Sequence, residues 1–196
     1  MTRIFSRSPS SYLVVFLAGF LSFFFCLISS SAEAGDVNPV DKSIRLSVRD
    51  NRTSGLDLGM DFFSTVGDKE MMIPAVFSVP DREARNDTLK ALIFTNSITT
   101  GTKYLIGRTR PAYYDEGYEY SPFTDPNSSF PSGHATGAFA FATIIAHHYP
   151  EYKIPAYTVA SLIAVSRIYK DRHWATDVAA GAAVGHFGAK FVLKAW

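Results

Sequence analysis

SGHATGAFAFATIIAHH (residues 132–148) is the stretch on which the fold turns. Ser132 is a helix N-cap residue, the run behind it is almost wholly apolar, and Pro150 stops it. Such a run is too short for the roughly 20 residues a bilayer span needs, so it reads as a buried core helix. Downstream, residues 154–169 form a second apolar helix of similar length, read the same way. A further helix starts near Trp174 and continues to the C-terminus, where Ala179, Ala180, Ala182 and Ala183 with Gly181, Gly185 and Gly188 let helices approach closely. Upstream, Asn86–Asp87–Thr88 opens a helix running to about Ile106 through Leu89, Leu92, Ile93, Ile98 and Leu105, with a weak point at Gly101.

The remaining segments are weaker. Leu56–Thr65 and Met71–Val79 are short apolar stretches separated by Gly67–Asp68–Lys69–Glu70 and closed by Pro80. Gly35 to Gly55 is polar and broken, a surface lead-in holding one short helix. Pro111 to Pro131 is a loop carrying Pro122, Pro126 and the tyrosines 113, 114, 118 and 120; a loop of that length is more often functional than idle, as a solvated or a substrate-contacting lid. There is no alternating strand pattern and no internal repeat. The reading is an all-α, compact helical bundle forming one domain over residues 35–196.

Residues 1–34 are a separate object. Arg3 and Arg7 precede an apolar run from Tyr12 to Ile28, followed by Ser29–Ser31 and Ala32–Glu33–Ala34. A basic start, an apolar stretch and a small-x-small end describe a signal peptide cleaved after Ala34, which places the mature chain in the periplasm or outside the cell. The alternative is an uncleaved N-terminal anchor in the membrane. The only cysteine, Cys26, lies in this run, so the mature chain has no disulfide. The chain has 19 basic and 18 acidic residues; cleavage removes two Arg and one Glu, leaving 17 of each. Nothing in that balance suggests a nucleic-acid partner.

Three clusters carry chemistry: Lys103 with Arg110–Pro111, Pro131–Ser132–Gly133–His134, and Ser166–Arg167 with His173 and Asp177. Lys103, Arg110 and Arg167 are cations suited to phosphate oxygens, the guanidinium as a planar fork and the ammonium as a point charge. Ser132 and Gly133 sit where a helix begins, so free N–H groups and the positive end of its dipole face an anion. His173 and Asp177, four residues apart, fall on one helical face; the carboxylate accepts from one imidazole nitrogen and leaves the other as a lone pair aimed at phosphorus. His134, on another helix, is free to protonate the leaving oxygen. Taken singly, each piece has a plainer reading as a solvated helix end, a capping turn or a surface ion pair. His147, His148 and His186 fit no cluster, two exposed at a helix end and one packed, and Trp174 is core or pocket wall.

Together the clusters resemble, in every signature residue, the motifs of the type 2 phosphatidic acid phosphatase superfamily, which also contains class A acid phosphatases and vanadium haloperoxidases. The resemblance spans Lys103 to Asp177. It implies the helical bundle of that type, His173 as the nucleophile of a phosphohistidine, Asp177 as its orienter and His134 as general acid. It implies Lys103, Arg110, Ser132, Gly133 and Arg167 as phosphate ligands, and no metal or other cofactor in a phosphatase. The expected activity is hydrolysis of phosphomonoesters, lipid phosphates or diphosphates among them, with vanadate as inhibitor and peripheral contact with a membrane surface. The alternatives are a haloperoxidase, with vanadate as cofactor, and a non-catalytic phosphate- or lipid-binding module.

Overall fold

The computed structural model describes residues 37–117, 122–123 and 127–195. The candidate signal segment with Cys26, and Tyr118 and Tyr120 of the loop, lie outside the described residues. Where described, the chain is all helix and loop: α1 (Pro39–Asp50), α2 (Ser54–Val66), α3 (Lys69–Phe77), α4 (Arg82–Ile106), the single turn α5 (Pro111–Tyr114), α6 (Gly133–His148), a 3₁₀ turn (Pro150–Tyr152), α7 (Lys153–Tyr169) and α8 (Ala175–Ala195). The lead-in therefore holds a three-turn helix, and the long loop opens with a helical turn.

The decisive stretch folds as its chemistry dictates. Ser132 takes an extended conformation and its Oγ accepts from the Ala135 N–H, while Pro150 ends the run. α6 is the central helix and packs against α4, α7 and α8. Its buried residues are chiefly Ala and Thr, so neighbouring backbones come close. α8 comes closest: a Cβ at Gly181 would stand 2.4 Å from the Ser132 carbonyl oxygen, and one at Gly185 2.2 Å from that of Thr136. The core is built of small side chains, Ala91, Ala140 and Ala189 around Ile144, and Ala138, Ala142 and Ala160 around Ile163.

α4 spans the expected residues without a break at Gly101, but it buries a different face. Ala84, Thr88, Ala91, Thr95, Thr99 and Thr102 point inward, and Ile93 and Leu105 outward. The threonines are acceptable inside because their hydroxyls are bonded, Thr88 and Thr95 to carbonyls one turn back at 2.7 and 2.8 Å and Thr99 to Thr136 at 3.2 Å. α7 is likewise only half a core helix, since Ile154, Val159 and Val165 are exposed. No helix among the described residues is long and apolar enough to cross a membrane.

At the end of α4, Gly107 adopts φ 62° and returns its N–H to the Lys103 carbonyl at 2.9 Å. That left-handed cap reverses the chain and carries residues 108–110 back over the bundle end, where α6 and α8 begin.

Candidate active site

His173 lies in the turn just before α8 rather than on it, and its side chain is 3% exposed. Its Nδ1 donates to the Ser129 carbonyl at 2.8 Å. A carbonyl can only accept, so Nδ1 carries the hydrogen and Nε2 is left as the lone pair. This corrects the simpler expectation of a direct His173–Asp177 hydrogen bond: Asp177 Oδ2 stands 3.7 Å from Nδ1, an ion-pair distance. The Asp177 carboxylate instead accepts from Arg108 Nη1 at 2.6 Å, Ser129 Oγ at 2.5 Å and the Trp174 N–H at 2.9 Å. It steadies the imidazole one step removed, by holding the serine whose carbonyl holds the ring.

Behind this carboxylate runs a buried charged network. Arg108 Nη2 reaches Asp41 at 2.8 Å, and Asp41 takes the Thr176 N–H and hydroxyl at 2.9 and 2.6 Å. Trp174 is core: its Nε1 donates to the Thr109 carbonyl at 2.9 Å, and the guanidinium groups of Arg108 and Arg45 lie over its ring. Burial drives Asp177 upward, but the Arg108 charge, the nearby His173 imidazole and the Ser129 hydroxyl donor outweigh it and hold the carboxyl at about 2. Burial pushes His173 down to about 4; Asp177 opposes this, and the Lys103 and Arg110 charges add to it.

The Lys103 and Arg110 charges act on His173, and those of Arg167 and Arg110 act on His134, so the field of Arg110 is felt at both imidazoles. Each is also tied to the frame. Lys103 donates to the Ser128 carbonyl, Arg110 to the Asn127 and Arg172 carbonyls at 2.9 and 3.2 Å, and Arg167 Nη1 to Ser64 Oγ at 2.5 Å. Arg167 Nε is buried without an acceptor among the described residues, and burial lowers this guanidinium to about 10. Ser132 is fully buried; its N–H goes to the Asp177 carbonyl at 2.9 Å and its Oγ caps α6. The Gly133 and His134 N–H groups, in the first turn of α6, have no acceptor among the described residues. They and Arg167 Nε are the donors an anion would satisfy.

His134 is less enclosed. Its Nε2 meets Asp68 Oδ1 at 2.7 Å, and a groove of about 630 Å³ between α3 and α4 opens beside it, lined by Met72, Ile73, Phe77, Leu92 and Ile93. Burial and then the Arg167 charge lower the His134 pKa; Asp68 works against them. Of the remaining histidines, His147 is exposed, His148 pairs with Asp87 at 3.1 Å, and His186 bonds Tyr157 and Thr143 at 2.8 and 3.0 Å. Among the described residues no cluster of three His, Cys, Asp or Glu side chains is placed to hold a metal ion.

Arg108, Asp41, Ser129, Asp68 and Ser64 thus belong to the site or its frame although no motif points to them. The only sequence signal was the choice of residue type: a second Arg two positions before Arg110, and serines and aspartates at helix ends.

An all-α bundle that sets a buried imidazole among fixed cations and unpartnered helix N–H groups defines a class of anion-handling proteins. The chain belongs to the PAP2 superfamily, whose family model matches residues 87–196. It is 42% identical over 104 residues to the lipid A 1-phosphatase of Porphyromonas gingivalis, covering 51% of this chain and 21% of that protein. It is 26% identical over 184 residues to phosphatidylglycerophosphatase B of Bacillus subtilis, covering 84% and 87%. The chain spans well under half the length of the lipid A 1-phosphatases it matches, 42% in that of Rhizobium johnstonii. Among solved structures it resembles Aquifex aeolicus LpxE, with a TM-score of 0.65, 25% identity and 78% and 93% of the two chains covered. The fold also resembles a transmembrane PAP2-type phosphatidylglycerolphosphate phosphatase from Bacillus subtilis, with a TM-score of 0.64, 21% identity and 95% and 94% covered.

Proposed function

We propose that this chain is a phosphatase that hydrolyses the phosphomonoester of a lipid through a phosphohistidine on His173, without a metal. The observation that carries the reading is the buried His173 ring, its Nδ1–H held by the Ser129 carbonyl and its Nε2 left as a lone pair under the charges of Lys103 and Arg110.

The phosphoryl group lies among Lys103, Arg110, Arg167 and the N–H groups of Gly133 and His134. Nε2 of His173 forms a bond to phosphorus while the bond to the leaving oxygen breaks, and protonated His134 gives that oxygen its proton. Water then attacks phosphorus, the P–N bond breaks, and the water proton returns to His134. The fixed cations and helix N–H groups stabilise the charge on the equatorial oxygens. Asp177, locked by Arg108, stays ionised and stabilises the His173 ring as positive charge develops on it.

The lipid assignment rests on the groove beside His134, the side from which the leaving group departs. Its rim residues Ile73, Phe77 and Ile93 are 56, 63 and 68% exposed, an apolar edge that a sugar or nucleotide would not need. The names of the relatives, lipid A 1-phosphatase and phosphatidylglycerophosphatase B, support the same substrate class. The same edge suits contact with a membrane surface, and an N-terminal signal or anchor would deliver the chain to its outer face.

The test is phosphate release from phosphatidate and from a sugar phosphate in mixed micelles, with and without vanadate, alongside an assay of halide oxidation. Preferential release from the lipid, blocked by vanadate and absent in His173→Ala, is the expected result. Vanadate-dependent halide oxidation, or turnover that survives His173→Ala, overturns the reading.

A further inference from the structure

Asp68 occupies the N-cap position of α3, where an aspartate ordinarily turns its carboxylate onto the first N–H groups of its own helix. Here it makes no such bond; Oδ1 instead meets His134 Nε2 at 2.7 Å. The residue before it fits the same purpose. A Cβ at Gly67 would stand 2.5 Å from Ile163 Cγ2 and 3.1 Å from His134 Cδ2, so only glycine lets the α2–α3 turn lie flat against the imidazole edge. The turn is 66 residues from His134 in sequence and outside all three motifs.

We infer that Gly67–Asp68 is a seat for the general acid, with Asp68 as the positioning residue that fixes the His134 ring and keeps its proton in place. The inference rests on the phosphatase reading above. A carboxylate only accepts, so Nε2 carries a hydrogen toward Asp68, and Nδ1, which has no partner among the described residues, is the atom that gives and regains the catalytic proton. The charges around the ring explain why a seat is required. Arg167 of α7 and Arg110 of the loop both disfavour the imidazolium, as does burial; α4 presents the neutral Asn96, Lys69 and Glu70 stand on the exposed rim, and Asp68 is the carboxylate bonded to the ring. Without Asp68 the ring would be free to turn and would lose its proton at lower pH.

Two substrates separate this role from general damage to the site. A long-chain alkyl phosphate has a leaving alcohol that needs a proton; p-nitrophenyl phosphate leaves as a stable phenolate. In the full chain, Asp68→Asn and Asp68→Ala should lower the ratio of alkyl to aryl kcat by about tenfold or more. The alkaline limb of the alkyl pH profile should move to lower pH, and Asp68→Glu should recover part of the ratio. Histidine NMR titration should show the His134 pKa falling in Asp68→Asn, which also serves if the alanine variant does not accumulate. Equal losses on both substrates, or an unmoved ratio and titration, overturn the inference. His134→Ala is the control for the underlying reading. If it lowers the ratio and Asp68→Asn does not, only the seat is wrong; if neither lowers it, His134 is not the general acid and the seat falls with it.

Discussion

The two imidazoles are housed in opposite ways. His173 is 3% exposed, and the groups behind it form a closed chain from Ser129 through Asp177 and Arg108 to Asp41, each buried and each bonded to the next. His134 has a quarter of its side chain exposed, one bond to a half-exposed carboxylate, and an apolar groove beside it. In the proposed mechanism the His173 nucleophile meets phosphorus in the same geometry whatever the substrate, so fixing it costs nothing in scope. On the same proposal the leaving group varies with the substrate, and His134, as its acid, stands beside the open groove. The pocket is closed and clamped around His173 and open beside His134.

The largest expected effect is on the clamped side. His173→Ala should reduce turnover by at least about 10³-fold, since it removes the nitrogen that makes the covalent step in the proposed mechanism, while vanadate binding measured by calorimetry persists on the cations. A variant that loses binding as well would mean that the ring also builds the anion site.

Arg108→Met tests whether the chain behind His173 is structural. It leaves Asp41 and Asp177, both buried, without their shared cation. Breaking a buried pair in this way costs about 3–5 kcal/mol, or roughly 6–20 °C in Tm for a domain of this size. Asp68→Asn on the open side should cost no more than about 1 kcal/mol, because its carboxylate is half in water. Comparable losses from the two substitutions, read by thermal melts, would erase the contrast.

Glycines divide along the same line. Gly185→Ala places a methyl 2.2 Å from the Thr136 oxygen and 2.9 Å from the Ala140 nitrogen, so α6 and α8 must part. Overpacking of this kind costs about 1–3 kcal/mol. At Gly137, on the groove side, the same methyl meets Leu92 and Met72 at 3.9 Å, ordinary contact. Gly137→Ala should be neutral or stabilising by up to about 1 kcal/mol through helix propensity. Denaturant midpoints of the two variants check both signs.

What could be read from the chain follows the range of the interactions involved. α6 was legible because its cap, its apolar run and its stop are contiguous, and the three motifs because their spacings are fixed by one helix end each. α4 was legible as a helix but not in orientation: bulky Ile93 and Leu105 look like core, yet close packing against α6 selects Ala and Thr, whose buried hydroxyls are satisfied within the turn. α1 reads as surface because it is charged, and it is charged because Asp41 and Arg45 bond Arg108 and Asp115 across 67 and 70 residues. Nothing local separates buried Arg108 from Arg110. The same charge explains the Asp177 geometry: a guanidinium at 2.6 Å draws the carboxylate away from the imidazole, and the Ser129 carbonyl takes its place.

The finest test of the contrast is titration. In the proposed mechanism His173 must be neutral to attack, and burial holds its folded pKa at about 4. On the acid side kcat/KM should therefore rise about tenfold per pH unit up to about pH 4 and level above it. A phosphate monoester stays a monoanion across that range, its second ionisation lying near 6, so the limb belongs to the enzyme. As the proposed general acid, His134 must be protonated to act, and burial with the Arg167 charge lowers it from the usual 6.5, so the optimum should fall on the acid side of neutrality. Salt distinguishes the two sites. Buried charges are screened little, so the His173 limb should hold its position between low and high ionic strength, while the half-exposed Asp68 loses part of its hold and the His134 titration moves to lower pH. An acid limb near 6.5, or one that moves with salt, would place water around the His173 ring and undo the distinction between the two sites.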